Sequence, residues 1–135
     1  RYRDAMRVTH TIFADTIIRD ADRNTLSIID LYESFELTTF PAILARATLC
    51  YVIERDATDN QVTDLQVVLI TPNATQPNQV QADFKDQQRT RVIVRFEGFV
   101  IFQPGEIRFE LRNGDNVINT LAVSVTAIAP PPAPN

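Results

Sequence analysis

Glu106-Ile107-Arg108-Phe109-Glu110-Leu111-Arg112 decides the fold class. Apolar residues at 107, 109 and 111 alternate with charged ones, the period-2 pattern of a strand with one face in a core and one in water. The run stops at Asn113-Gly114-Asp115-Asn116, residue types that accept positive φ in a tight turn. Val117, Leu121, Val123 and Val125 then resume the alternation, with Asn119 as its exception. The segment from Gly105 to Ile128 is therefore expected to be a β-hairpin.

Working upstream, Val92, Val94 and Phe96 alternate with Arg91, Arg95 and Glu97 until Gly98 introduces the unbroken run Phe99-Val100-Ile101-Phe102. A glycine inside a strand marks a bulge or bend at which the buried face changes phase. Without such a change alternate residues of the run face water, which makes Phe99 and Ile101 interface candidates. Ala47, Leu49, Tyr51 and Ile53 form one apolar face, and Leu65, Val67 and Leu69 another. With Asp56-Ala57-Thr58-Asp59-Asn60 between them, these two runs predict a hairpin over Ala45 to Thr71. Pro72 and Pro77 predict an unpaired loop from Thr71 to Asn78, ahead of a weaker strand from Gln79 to Phe84. Thr11 to Arg19 and Leu26 to Tyr32 flank a polar turn and predict a further hairpin.

No window sustains an apolar period of 3.6, and Ile43 to Thr48, the best helix candidate, merges into a strand. About seven or eight strands without helical crossovers suggest a sandwich or a barrel rather than a parallel sheet, and the fold expected is an antiparallel β-sandwich of immunoglobulin-like type. The 135 residues suit a single domain, expected over 9–128. Residues 1–8 are expected to be an extension or tag remnant, and 129–135 a Pro-rich tail favouring polyproline II.

The formal net charge of −4 argues against nucleic acid and anionic membrane as partners, because both require clustered Lys and Arg. No stretch approaches the ~18 apolar residues of a membrane helix. The single cysteine, Cys50, forms no intrachain disulfide, which favours a reducing, cytoplasmic compartment and is also compatible with an exported protein that lacks bridges.

Catalytic chemistry finds few residues to use. His10 is the sole histidine available as a base for Cys50 or a serine, and Cys50 sits mid-strand as a small hydrophobe would. Zinc needs more Cys and His ligands than one of each. Asp20, Asp22 and Asn24 have the opening spacing of an EF-hand loop, but Thr25 and Leu31 stand where Gly and Glu are required. A calcium site built from Asp20, Asp22, Asp56, Asp59 and Asp115 would require those turns to converge, and turns favour Asp in any case. Glu106 and Glu110 alternate with arginines as an exposed charged face rather than as a hydrolytic carboxylate pair. The three glycines never cluster into a phosphate loop. Asn73-Ala74-Thr75 is a glycosylation sequon in an expected surface loop. Arg89, Arg91 and Arg95 form a solvated face, or one that meets an acidic partner.

Ala14-Asp15-Thr16-Ile17-Ile18, Leu26-Ser27-Ile28-Ile29-Asp30-Leu31-Tyr32 and Phe40-Pro41-Ala42, with the later Pro104-Gly105-Glu106-Ile107-Arg108-Phe109-Glu110-Leu111 and Leu121-Ala122-Val123, resemble a family of uncharacterised bacterial β-sandwich domains. The resemblance spans about Thr9 to Val125 and implies a small sandwich with no catalytic residues to carry over. That family often has a cysteine where this chain has Ala14. The expectation for function is a non-enzymatic binding or assembly module without cofactor or metal. It would engage a protein partner or a second copy through strand edges or an apolar face. The alternative is a calcium-dependent ligand or carbohydrate module.

Overall fold

The computed structural model describes residues 6–56, 61–132 and 134. Nine strands among them form two sheets: β1 (Met6–Asp20), β2 (Thr25–Leu31), β3 (Ser34–Leu37), β4 (Ala42–Arg55), β5 (Val62–Thr71), β6 (Ala74–Asp83), β7 (Arg89–Ile101), β8 (Gly105–Asn113) and β9 (Asn116–Ala127). One sheet has the order β2-β1-β4-β7 and the other β3-β9-β8-β5-β6. The fold is an all-β sandwich of two mainly antiparallel sheets. Met6–Val8, expected ahead of the domain, open β1 and pair with β4 from Arg55 to Ile53.

The alternating runs supply the core. Ile107, Phe109 and Leu111 of β8 and Leu65, Val67 and Leu69 of β5, neighbours in one sheet, face Ala47, Leu49, Tyr51 and Ile53 of β4 across the inter-sheet space. Phe13, Phe96, Phe99 and Phe109 meet there with ring centroids between 4.9 and 6.3 Å apart, the spacing of favourable tilted and edge contacts.

Several expectations are corrected. Ala45 to Thr71 is not a hairpin: β4 pairs with β1 and β7 in one sheet, and β5 with β6 and β8 in the other. The antiparallel partner of β5 is β6, joined by the turn Pro72-Asn73. Pro77 lies within that ladder opposite Val68, which an edge strand tolerates because its outer side needs no N–H donor. Val117 is exposed and Ile118 packs on the core instead, since a register shift between Leu111 and Arg112 moves the phase of β9. Asn119, the exception in the pattern, accepts a hydrogen bond from the Thr11 hydroxyl at 2.9 Å and so ties the two sheets together. One pair is parallel: β3 lies beside β9, distant in sequence, so no helical crossover is needed.

Phe99 and Ile101 are the main correction to the expected interface. They are 5% and 2% exposed and belong to the core. Gly98 has φ +67°, and there the inward face of β7 passes from Val92, Val94 and Phe96 to Phe99 and Ile101. On β4 the inward face likewise passes from Ala42 and Leu44 to Ala47 and Leu49, so the paired strands change phase together.

Candidate functional site

The β1–β2 hairpin extends past the sheet that holds it and covers part of that sheet's outer face. Ala14 and Ile17 pack with Cys50 and Val52 as a small second core, closed by Ile12, Leu26 and Ile93. Burial raises the Cys50 thiol pKa, against the opposing influence of Arg91 and Arg95. At the hairpin tip, Asn24 accepts hydrogen bonds from the Arg91 guanidinium at its side-chain Oδ1 (3.0 Å) and at its carbonyl (2.8 Å).

Asp15 pins the base of the hairpin. It accepts from the Thr16 hydroxyl and from Arg46 Nε at 3.3 Å, and these contacts hold its pKa below the ordinary carboxylate value. The Asp15 carbonyl also accepts from the Thr48 hydroxyl at 3.1 Å. Opposite the base, Asp30 adopts φ +56°, a conformation that Asp tolerates better than most residues.

This arrangement leaves large apolar side chains exposed on the hairpin, with Ile28 on the face of its partner Ile17 and Ile29 on the other. Ile28, Ile29 and Leu31 of the edge strand β2 are 44%, 45% and 53% exposed, and Ile18 of β1 is 50% exposed. Four large aliphatic side chains on one short edge hairpin exceed the scatter of single hydrophobics expected on a surface.

A groove of about 940 Å³ lies on the far side of the hairpin tip, between that tip, the start of β7 and the β6–β7 loop. Its charged lining is Arg19, Lys85, Arg89 and Arg91 against Glu54 and Asp83. Glu54 already accepts from Arg89 and from Arg7, and the bond to Arg89 is the leading cause of its lowered pKa. The loop wall is fixed from behind. Arg55, buried with its guanidinium 5.2 Å from the Phe84 ring centre, donates from Nε to the Gln87 carbonyl at 2.9 Å. Gln61 holds the Asp86 backbone N–H at 2.7 Å.

The residues proposed from sequence for metal or catalysis are dispersed. Asp20 accepts the backbone N–H groups of Asp22 and Arg23 as a turn residue, and Asp56 pairs with Arg7 at 3.3 Å. Asp115 lies in the β8–β9 turn, and Asp59 falls outside the described residues. Among the described residues, no group of three or more His, Cys, Asp or Glu gathers as metal ligands. His10 is exposed with Nδ1 3.1 Å from the Thr9 hydroxyl, whereas Cys50 is sealed beneath the hairpin, so no accessible thiol faces this base. Glu106 and Glu110 pair along their own strand with Arg108 and Arg112.

Sequence reasoning missed the groove. Its only sequence signal was the Arg89, Arg91 and Arg95 series; Arg19 and Lys85 join it through a hairpin that folds across the sheet.

The model of DUF6941, a family of unknown function, matches residues 10–126. Among solved structures, an immunoglobulin-like protein from Pseudomonas aeruginosa is similar at 12% identity and TM-score 0.43, over 90% of this chain and 97% of that chain. A search of curated proteins found no match.

Proposed function

We propose that this chain, which belongs to the DUF6941 family of unknown function, is a non-enzymatic assembly module that associates with a second copy of itself through the β1–β2 hairpin. The observation that carries this reading is the exposed set Ile28, Ile29 and Leu31 on the edge strand β2, with Ile18 exposed on the adjoining β1. Because these side chains are already about half buried, covering them contributes roughly 1 kcal/mol each before the entropic cost of association is subtracted. The strand edge adds unpaired backbone donors and acceptors, and two β2 edges related by a twofold axis pair antiparallel.

The other edges suit this role less well. Pro77 interrupts β6, β3 has only four residues, and β7 carries Arg89, Arg91 and Arg95. Light scattering coupled to size exclusion tests the proposal. A dimer at tens of micromolar, converted to monomer by Ile28→Lys with Ile29→Lys, is the expected result. A wild-type monomer at millimolar concentration overturns it.

A further inference from the structure

We propose that the groove beside the start of β7 binds a short acidic segment of a partner protein, laid in extended form along the open edge of that strand. Charge is the first support. The chain carries a net −4, yet the groove gathers four cations against two carboxylates, and with Arg89 and Glu54 paired to each other Arg19, Lys85 and Arg91 remain against Asp83. The side chains of Arg19 and Lys85 enter no hydrogen bond or ion pair among the described residues, so both are available to incoming carboxylates. Arg91 is held by Asn24 through two of its nitrogens and presents a fixed positive charge between them.

The second support is the backbone. β7 is the last strand of its sheet and pairs only with β4 among the described strands, so its outer edge, whose first residues Arg89, Thr90 and Arg91 line the groove, has no strand partner there. An added extended segment would take main-chain hydrogen bonds from that edge and place alternate side chains toward the cations. The walls are preformed. Thr90 donates to the Asp83 carbonyl at 2.9 Å, Arg55 and Gln61 brace the loop, and Asn24 fixes the hairpin tip against β7. A second copy of β7 is the wrong occupant, because antiparallel pairing would set arginines against arginines. The surface is separate from the apolar β2 face, so either proposal survives failure of the other.

The probe is an acetylated, amidated hexaglutamate titrated into the full ¹⁵N-labelled chain at low ionic strength. Expected shifts concentrate at Asn24 and at residues 85–93, outer-edge amides of β7 gain protection from exchange, and added salt weakens binding. Arg19→Glu with Lys85→Glu lowers the affinity roughly tenfold, the effect of reversing two exposed charges, at an unchanged melting temperature. Arg19→Gln with Lys85→Gln gives a smaller loss and serves if the reversal perturbs folding. Absent or scattered shifts, equal affinity in the charge variants, or the same shifts from inorganic phosphate at equal concentration would each overturn the proposal.

Discussion

Replacing Tyr51 by Phe removes one hydroxyl from the middle of the core and leaves its packing in place. Tyr51 is fully buried on β4, and its Oη has no hydrogen-bond partner among the described residues. A buried polar group left unsatisfied costs about 1–3 kcal/mol, so Tyr51→Phe is expected to raise stability by that amount at neutral pH. Burial also pushes the Tyr51 phenol far above its ordinary pKa. The unfolded chain ionises this group near pH 10 while the folded chain keeps it neutral. Its contribution is therefore fully present below pH 10 and is lost as pH rises towards the folded value. Linkage gives a loss of roughly 2 kcal/mol between pH 10 and pH 12, which the Phe variant lacks. Urea unfolding followed by circular dichroism at pH 7, 10, 11 and 12 measures both effects, because every other ionisable group is common to the two proteins. A variant less stable than wild type by ~1 kcal/mol or more at pH 7, or parallel stability curves above pH 10, would refute the reasoning, since either requires a satisfied hydroxyl.

Gly105 has φ +137°, and a Cβ there would lie 2.7 Å from Pro72 Cγ. Gly105→Ala should therefore cost about 1–3 kcal/mol in chemical unfolding. Gly98 is also left-handed but opens onto free space, so Gly98→Ala should cost only ~1 kcal/mol. Cys50 is sealed by the hairpin, and its reaction with a thiol reagent should be slow. Arg91→Ala, which releases Asn24, should accelerate labelling by about tenfold if local opening of the hairpin becomes easier by ~1.4 kcal/mol, with global stability nearly unchanged. Equal labelling rates would show that global unfolding alone exposes the thiol. The depressed pKa of Asp15 contributes stability that is present above the ordinary carboxylate pKa and lost as pH falls through the folded value. Asp15→Asn should therefore flatten the acid limb of the melting-temperature profile.

The period-2 runs determined the fold class because a side chain on a strand has only two faces to choose between. Ile107, Phe109 and Leu111 are buried as their alternation with charges requires, and the same holds for Ala47 to Ile53 and Leu65 to Leu69. The turn residues Asn113-Gly114-Asp115-Asn116 likewise marked the β8–β9 hairpin. Pairing between strands was not legible in the same way: the partners of β4 and β5 are chosen by which sheet each joins, and a turn-rich linker is compatible with a hairpin or a crossing. Phe99 and Ile101 looked like surplus until Gly98 reversed the phase of their strand, an event fixed by backbone dihedrals and the partner strand β4. The burial of Cys50, the exposure of Ile28, Ile29 and Leu31, and the gathering of Arg19 and Lys85 beside Arg89 and Arg91 all follow from one tertiary choice, the hairpin folding over the outer face of its sheet. The sequence by itself determined which residues prefer to leave water. Only the tertiary structure decided which apolar residues remained outside and which charges met, because those depend on contacts between segments far apart in the chain.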